Sequence, residues 1–390
     1  MRKYVAFIFL FVSVLSVAQT KSPYVDVDNK ISKIPLELSE STAGIAKFIT
    51  DNFKTDTEKI RAVFYWTATN ISYDVPNMFA PNQLETPQEK IENTLKSKKG
   101  VCIHYAEVFN DISNKIGIKC RIIYGYTKQN GKVANLAHAW CAAKIENKWF
   151  VFDPTWGAGG ITNGKFMKKL NNAYFKVESS KIIASHMPFD YLWQFLNYPV
   201  TNVEFYAGKT QLDTTKKYFD FEKEIVLYDN IPENDQLFES AGRIEKNGLK
   251  NAMILEHYNV KKNQWNNLMQ NANIEKLNTI VDELNQAVVL LNDFIMYRNK
   301  KFKPAFSDEV INNMIQTPRE KLQKCQNDIF KLGTVGSENA SNVISIKKTI
   351  AQALIQADEH AAFVKDYLSK SKLVRKTMFS KVSWFGVPLN

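Results

Sequence analysis

Residues 136–156 read LAHAWCAAKIENKWFVFDPTW. Two strand-like runs, 136–145 and 148–153, flank the turn-like pair Glu146-Asn147, which predicts an antiparallel hairpin. With a two-residue turn at that pair, the numbers of facing residues sum to 293. His138 then faces Thr155, and Asp153 is its diagonal neighbour on the same strand face, about 7–8 Å away at Cα. A carboxylate at that range reaches a ring nitrogen, fixes the tautomer and supports the imidazolium. The other ring nitrogen stays free for a thiol. Taken singly, a histidine in an apolar strand is a core residue and an aspartate before proline is a turn former. The shared register gives the pair a chemical meaning.

The thiol lies upstream. Gly100 punctuates the chain before a predicted helix over 101–116, in which Cys102, Ala106, Phe109, Ile112 and Ile116 recur at steps of four, three, three and four. Gly117 is placed to cap its C-terminus. Cys102 falls in the first turn, where the positive end of the helix dipole favours thiolate over thiol. The competing reading is a small buried apolar residue. A strand over 119–126 follows.

Further out, helical spacing marks Ile45, Phe48, Ile49 and Phe53. A second helix over 55–70 has Thr55 or Asp56 as cap and Ile60, Val63, Phe64 and Thr67 as its apolar face. Residues 76–99 read as a polar connection with three prolines, and 160–230 carry no clear period. From about 234 the chain turns helical. Ile274, Leu277, Val281, Leu284, Val288, Leu291 and Ile295 form one stripe, and Val343, Ile346, Ile350, Ala353, Ala357, Val364 and Leu368 another. Such stripes are the seam of a helical bundle, with a partner-binding coiled coil as the sharper alternative. Thr317-Pro318-Arg319-Glu320 has the form of a capping box that starts a helix. Helices first, then locally paired strands, indicate an α+β core followed by an α-helical domain. The expected divisions are 1–18 as a signal peptide, 19–200 as the α+β domain, 201–233 as a mixed connection and 234–390 as the helical domain.

The first residues set the compartment. Arg2 and Lys3 precede an uncharged run from Tyr4 to Val17, and Ser16-Val17-Ala18 presents small residues for cleavage. That is the pattern of a secretory signal peptide, too short to span a bilayer comfortably. The expectation is a periplasmic or secreted chain with no stable membrane span. The net charge of +11 falls to +9 on cleavage (49 basic against 40 acidic residues). A diffuse lysine excess suits a solvated surface or an anionic envelope partner, held through the helical domain. No nucleic-acid motif is present. Four cysteines, Cys102, Cys120, Cys141 and Cys325, are too few for a disulfide framework in 390 residues. Cys120 and Cys141 are expected as reduced core residues even in an oxidising compartment. A zinc site from Cys102, His104, His138 and Cys141 is opposed by geometry. Residues two apart on a helix diverge, and residues three apart on a strand face opposite sides.

The order Gly-x-Cys-x-x-Tyr-Ala at a helix start, then His-Ala-Trp, then a strand ending Asp-Pro-Thr-Trp, resembles the transglutaminase-like superfamily. The pattern is most similar to its kyphoscoliosis-peptidase type. Residues 66–73, WTATNISY, also resemble that family's lead-in helix. The resemblance covers roughly residues 40–200. It implies a papain-like, transglutaminase-type core with Cys102, His138 and Asp153 as a catalytic triad and no cofactor or metal. Many members have glycine two residues after the nucleophile, where this chain has His104, either a second polar group of the site or a groove residue. The oxyanion would take the Cys102 N–H and a second donor, with the Trp66 indole and Tyr73 hydroxyl as candidates. Trp140 and Trp156 would wall the cleft. The implied chemistry is a thioester formed on Cys102 from a peptide or protein substrate. Hydrolysis by a peptidase or amidase is favoured because water is always available. Transamidating cross-linking and a non-catalytic envelope- or protein-binding module stand as alternatives. Amino-terminal sequencing of the exported chain should begin at Gln19; a chain still starting at Met1 in that compartment would refute the cleavage.

Overall fold

The computed structural model describes residues 22–79, 84–379, 383–384 and 387–388. The signal-peptide segment and its cleavage point lie outside the described residues. The chain forms two compact units. One runs to Ile231 and includes Glu239–Asn259; the other comprises Pro232–Phe238 and the residues from Val260 onward.

The first unit opens with helices α1 (Val25–Ile31), α2 (Thr42–Asn52) and α3 (Asp56–Asn70). Thr55 caps α3, accepting from Glu58 N–H at 3.2 Å while Glu58 returns the bond to Thr55 N–H at 3.0 Å. The short strand β1 (Ser72–Tyr73) follows, then α4 (Pro87–Ser97) and strand β2 (Lys99–Gly100), which pairs parallel with β1. Helix α5 (Cys102–Lys115) and strands β3 (Cys120–Gln129), β4 (Lys132–Ile145) and β5 (Lys148–Phe152) complete the centre. Gly117 ends α5 at φ +82°, in the left-handed region that glycine enters without strain.

The β4–β5 ladder pairs Cys141 with Phe152 and Ile145 with Lys148, the 293 register read from the sequence. Glu146 and Asn147 both take positive φ, as a two-residue hairpin turn requires. Past Phe152 the ladder stops. Asp153 caps the short helix α6 (Pro154–Ala158), so Thr155 never faces His138 across a ladder. A hairpin of β6 (Gly159–Thr162) and β7 (Lys165–Lys168) follows, then α7 (Ser179–Ile182) and β8 (His186–Pro188). The main sheet runs β5-β4-β3-β8, antiparallel throughout.

Both sheet faces are covered. On one, Tyr105, Ala106, Phe109 and Ile112 of α5 pack with Ile60, Val63 and Phe64 of α3 and with Ala139, Cys141, Ala143 and Phe152. Full burial of side chains of this size contributes about 1.5–3 kcal/mol each. On the other face, Ile123, Trp140, Trp149 and Val151 meet Leu192, Phe195 and Ile225. This is an α+β core, with the cysteine-bearing helix against an antiparallel sheet, followed by an α-helical bundle.

Several expectations require correction. The polar connection over 76–99 contains α4, capped by Thr86 and Glu89 and burying only Ile91, Thr94 and Leu95. Of residues 201–233, expected as a mixed connection, those up to Ile231 belong to the first unit. They carry α8 (Asn202–Ala207) and α9 (Phe221–Asn230), whose Phe205 and Ile225 are buried in the first unit. The first unit also holds residues beyond 234. Arg243 of α10 (Glu233–Lys246) makes a buried two-pronged pair with Asp190, at 2.7 and 2.8 Å, and Ile244 and Ile254 are fully buried beside Tyr126 and Phe205.

The second unit contains most of α11 (Ala252–Asn299), with α12 (Asp308–Phe330), α13 (Ser337–Ser369) and α14 (Lys372–Thr377). Leu277, Leu284, Leu291, Ile350, Ala357 and Val364 are buried in one core, so the two stripes pack inward as a bundle seam. Thr317-Pro318 does not begin a helix. Pro318 sits inside α12, whose cap is Ser307, because the stripe Ile311, Ile315, Pro318, Leu322, Cys325 and Ile329 continues through it. Packing of that stripe outweighs the hydrogen bond a mid-helix proline forfeits. Among the described residues, no helix is long and apolar enough to cross a membrane.

All four cysteines are free thiols. Cys120 pairs with Ala143 and Cys141 with Ile122, so the two are diagonal neighbours, and the Cys141 thiol donates to Ala106 O at 3.4 Å. Burial and the neighbouring Cys120 push the Cys141 thiol well above its usual range. Alkylation of the unfolded protein without reductant should therefore modify both; a dominant Cys120–Cys141 linked peptide would contradict this.

Candidate active site

Cys102 is half-buried at the start of α5. The cap position before it is Val101, whose side chain accepts no hydrogen bond. The dipole of α5 is therefore directed at the thiol without a competing side-chain oxygen. His104 Nδ1 accepts from the Val101 N–H at 3.1 Å. Its Nε2 lies 3.7 Å from Glu85, in a separate polar pocket lined by Asp74, Asn77 and Lys99. His104 thus serves as a cap on the far side of the turn and does not line the cleft that holds His138. Burial lowers its pKa, with Glu85 opposing. Gly100 is what admits it: a Cβ on Gly100 would sit 2.5 Å from His104 Cβ.

His138 projects from β4, with its side chain about one-tenth exposed, and donates from Nε2 to Asp153 Oδ2 at 2.8 Å. That leaves Nδ1 free, and Cys102 is among the groups that raise the pKa of the ring. Burial opposes the imidazolium, but Asp153 and Cys102 outweigh it and raise the His138 pKa to about 10. The Asp153 carboxylate is buried, which disfavours its charge; His138 and His186 more than compensate and hold it well below the usual carboxylate range.

His186 is the residue that sequence reasoning missed. It comes from β8, paired opposite Thr127 of β3, and its Nε2 lies 3.0 Å from the same Asp153 Oδ2. No periodicity marks the three-residue strand around it.

The sequence-predicted residues divide as follows. Tyr73, His138 and Trp156 line one cleft of about 420 Å³, together with Met78, Phe166 and Tyr174. Tyr73 is half-buried, and burial reinforced by the charges of Cys102 and Asp153 raises its pKa, so the hydroxyl remains a donor. Trp156 flanks His138 at a ring separation of 5.8 Å and His186 at 4.7 Å. Trp140 is fully buried beneath the site, 5.9 Å from the His138 ring and edge-on to His186 at 5.1 Å. Trp66 is buried under Lys98, its indole N–H has no acceptor, and it does not line the cleft. Cys141 packs away from His138 against α5, which removes it from the proposed zinc set. His138, Asp153 and His186 offer ligand atoms within 4.8 Å of one another. Both short contacts are N–H donations to one carboxylate oxygen, and a protonated His138 has no lone pair for a metal.

A cysteine at a helix start, a histidine on the adjoining sheet and a buried carboxylate behind it define a papain-like α+β core. Residues 43–154 match the transglutaminase-like superfamily model. The human protein named Kyphoscoliosis peptidase is 29% identical over 183 residues, covering 44% of this chain and 27% of that protein. The mouse protein of the same name is 30% identical over 168 residues, covering 40% and 25%. A solved structure described as a TGase has 20% identity and a TM-score of 0.24, over 42% of this chain and 40% of the other. The chain spans about a quarter of the length of these curated relatives.

Gly100→Ala should displace the start of α5, because the added methyl meets the root of the His104 side chain and not its flexible end. Cys102 alkylation near neutral pH should slow about tenfold as the sulfur moves off the helix start. An unchanged rate would show that the turn absorbs the methyl.

Proposed function

We propose that the chain is an exported thiol hydrolase of peptide or amide bonds, with Cys102 as nucleophile, His138 as acid and base, and Asp153 as orienting carboxylate. The observation that carries this reading is the His138 ring, held at Nε2 by a buried aspartate on the sheet against which the Cys102-bearing helix packs. Cys102 Sγ attacks the carbonyl carbon, and the C–N bond breaks as the imidazolium gives its proton to the leaving amine. A thioester remains. Neutral His138 then takes a proton from water, the hydroxide attacks the thioester, and the carboxylic acid leaves as the Cys102 thiolate and the His138 imidazolium are restored. The Cys102 N–H and the protonated Tyr73 hydroxyl are the oxyanion donors of this scheme.

Aromatic cleft walls suit a peptide substrate, and the printed name of the two mammalian relatives points to peptide cleavage. Export rests on the pattern of residues 2–18, and the positive surplus of the chain would favour an anionic envelope partner.

Peptide-library profiling of the purified chain against Cys102→Ala tests the proposal. Cleavage should vanish in the variant. Added primary amine that captures the acyl group in preference to water would replace hydrolysis by transamidation. For the wild type, kcat/KM should fall as pH rises through about 10, where the raised His138 pKa places loss of the imidazolium. Asp153→Asn removes the charge that raises that pKa, so the falling limb should move down toward the ordinary histidine value of about 6.5 and the rate should drop about 10²–10⁴-fold. A limb that stays in place would sink the assignment of His138.

A further inference from the structure

A carboxylate offers about four acceptor positions, and in Asp153 each is occupied. Oδ1 accepts from the backbone N–H of Thr155 at 2.8 Å and of Trp156 at 3.0 Å. Oδ2 accepts from His138 at 2.8 Å and from His186 at 3.0 Å. The first three donors come from the β4–β5 hairpin and the turn that follows it. The fourth comes from 33 residues further on, by way of the β3–β8 pairing.

The state of His186 is fixed by its neighbours. An ionised carboxylate can only accept, so Nε2 carries the proton. The Ser185 hydroxyl lies 2.8 Å from Nδ1 and 3.2 Å from Ile182 O, so its single proton serves one of two acceptors. Burial and the nearby imidazolium of His138 lower the His186 pKa against the pull of Asp153, so the ring is neutral. The ring has no exposed side-chain surface and is held edge-on between Trp140 and Trp156. It does not line the cleft, so it cannot touch substrate.

We propose that His186 is a positioning residue for the acyl-transfer site, locking the Asp153 carboxylate in the orientation that presents Oδ2 to His138. This rests on the reading of Cys102, His138 and Asp153 given above. Without the Nε2–H donor, Oδ2 loses one of its two partners and the carboxylate is free to turn about its side-chain bonds. His138 would then lose its alignment with Cys102 for part of the time. The consequence is a weaker thiolate–imidazolium pair and a slower chemical step, with substrate binding little changed.

The test measures Cys102 alkylation by iodoacetamide at pH 6, where an ordinary thiol is protonated, alongside kcat and KM. His186→Phe keeps an aromatic ring between the two tryptophans and removes the donor; His186→Gln restores an N–H at the reach of Nε2. In the folded His186→Phe protein, alkylation and kcat should each fall about tenfold, the scale of one hydrogen bond to a charged group, with KM within about twofold. His186→Gln should recover most of both. Ser185→Ala leaves the ring in place and should slow alkylation by a smaller factor, which keeps the test available if the Phe variant does not fold. A folded His186→Phe or Ser185→Ala protein with wild-type alkylation and kcat would overturn the proposal. So would a Gln variant as impaired as Phe. Fast wild-type alkylation without peptide cleavage would defeat the peptidase reading alone, and alkylation would still report on His186. A wild-type Cys102 no faster than a free thiol would overturn both.

Discussion

The Asp153 carboxylate accepts four hydrogen bonds from three parts of the chain: strand β4, strand β8 and the first turn of α6. Taking a carboxylate out of water costs several kcal/mol. Four N–H donors, each worth about 1.5–3 kcal/mol to a charged acceptor, are of the size needed to hold it ionised. The arrangement requires β5 to stop at Phe152, so that Asp153 turns out of the ladder as a helix cap. Pro154 then occupies the first helical position, where no backbone donor is needed. The strand end, the helix cap and the acid of the proposed site are therefore one residue. Pairing of β8 on β3 supplies the fourth donor, so the outer edge of the sheet is tied to its centre through the same oxygen that holds His138.

The start of α5 works by the opposite logic, with an acceptor left out. An apolar Val101 at the cap position leaves the first-turn dipole directed at Cys102, and His104 reaches back to satisfy the Val101 N–H. A serine or aspartate in place of Val101 would offer its oxygen to those N–H groups and weaken their hold on a developing negative charge. Gly100 makes room for the His104 side chain while pairing with Tyr73 across the short parallel ladder, which brings the Tyr73 hydroxyl to the cleft.

What could be read from the sequence follows from where local rules coincide with packing. The His138–Asp153 relation was legible because a two-residue turn fixes register and strands have a period of two. The α5 stripe and the long stripes at 274–295 and 343–368 were legible because they extend over several turns. Thr86-Pro87-Gln88-Glu89 and Thr317-Pro318-Arg319-Glu320 show the limit. Both have the form of a capped helix start, yet the first begins α4 and the second lies inside α12. What separates them is the apolar stripe on the N-terminal side, present before Pro318 and absent before Pro87. The Asn163-Gly164 turn between β6 and β7, with both residues at positive φ, was a local hairpin signal inside the segment without a clear period. His186 had no such signal, because its position depends on β8 meeting β3, with Thr127 pairing to His186 far along the chain. The unit boundary was hidden for a similar reason, since the Arg243–Asp190 pair is a tertiary contact.

Two histidines share one carboxylate oxygen, and only one of them can be charged. Two imidazoliums facing a single buried anion would leave a net positive charge away from water, with their rings only 5.8 Å apart. The surroundings of each ring make the choice. At His138, Asp153 and Cys102 outweigh burial and favour the protonated ring. At His186, burial and the neighbouring His138 imidazolium favour the neutral ring. Asp153 treats the two rings almost alike, at 2.8 and 3.0 Å. The surroundings beyond Asp153 therefore give them different charge states, and the proton that the proposed acyl transfer must move resides on His138.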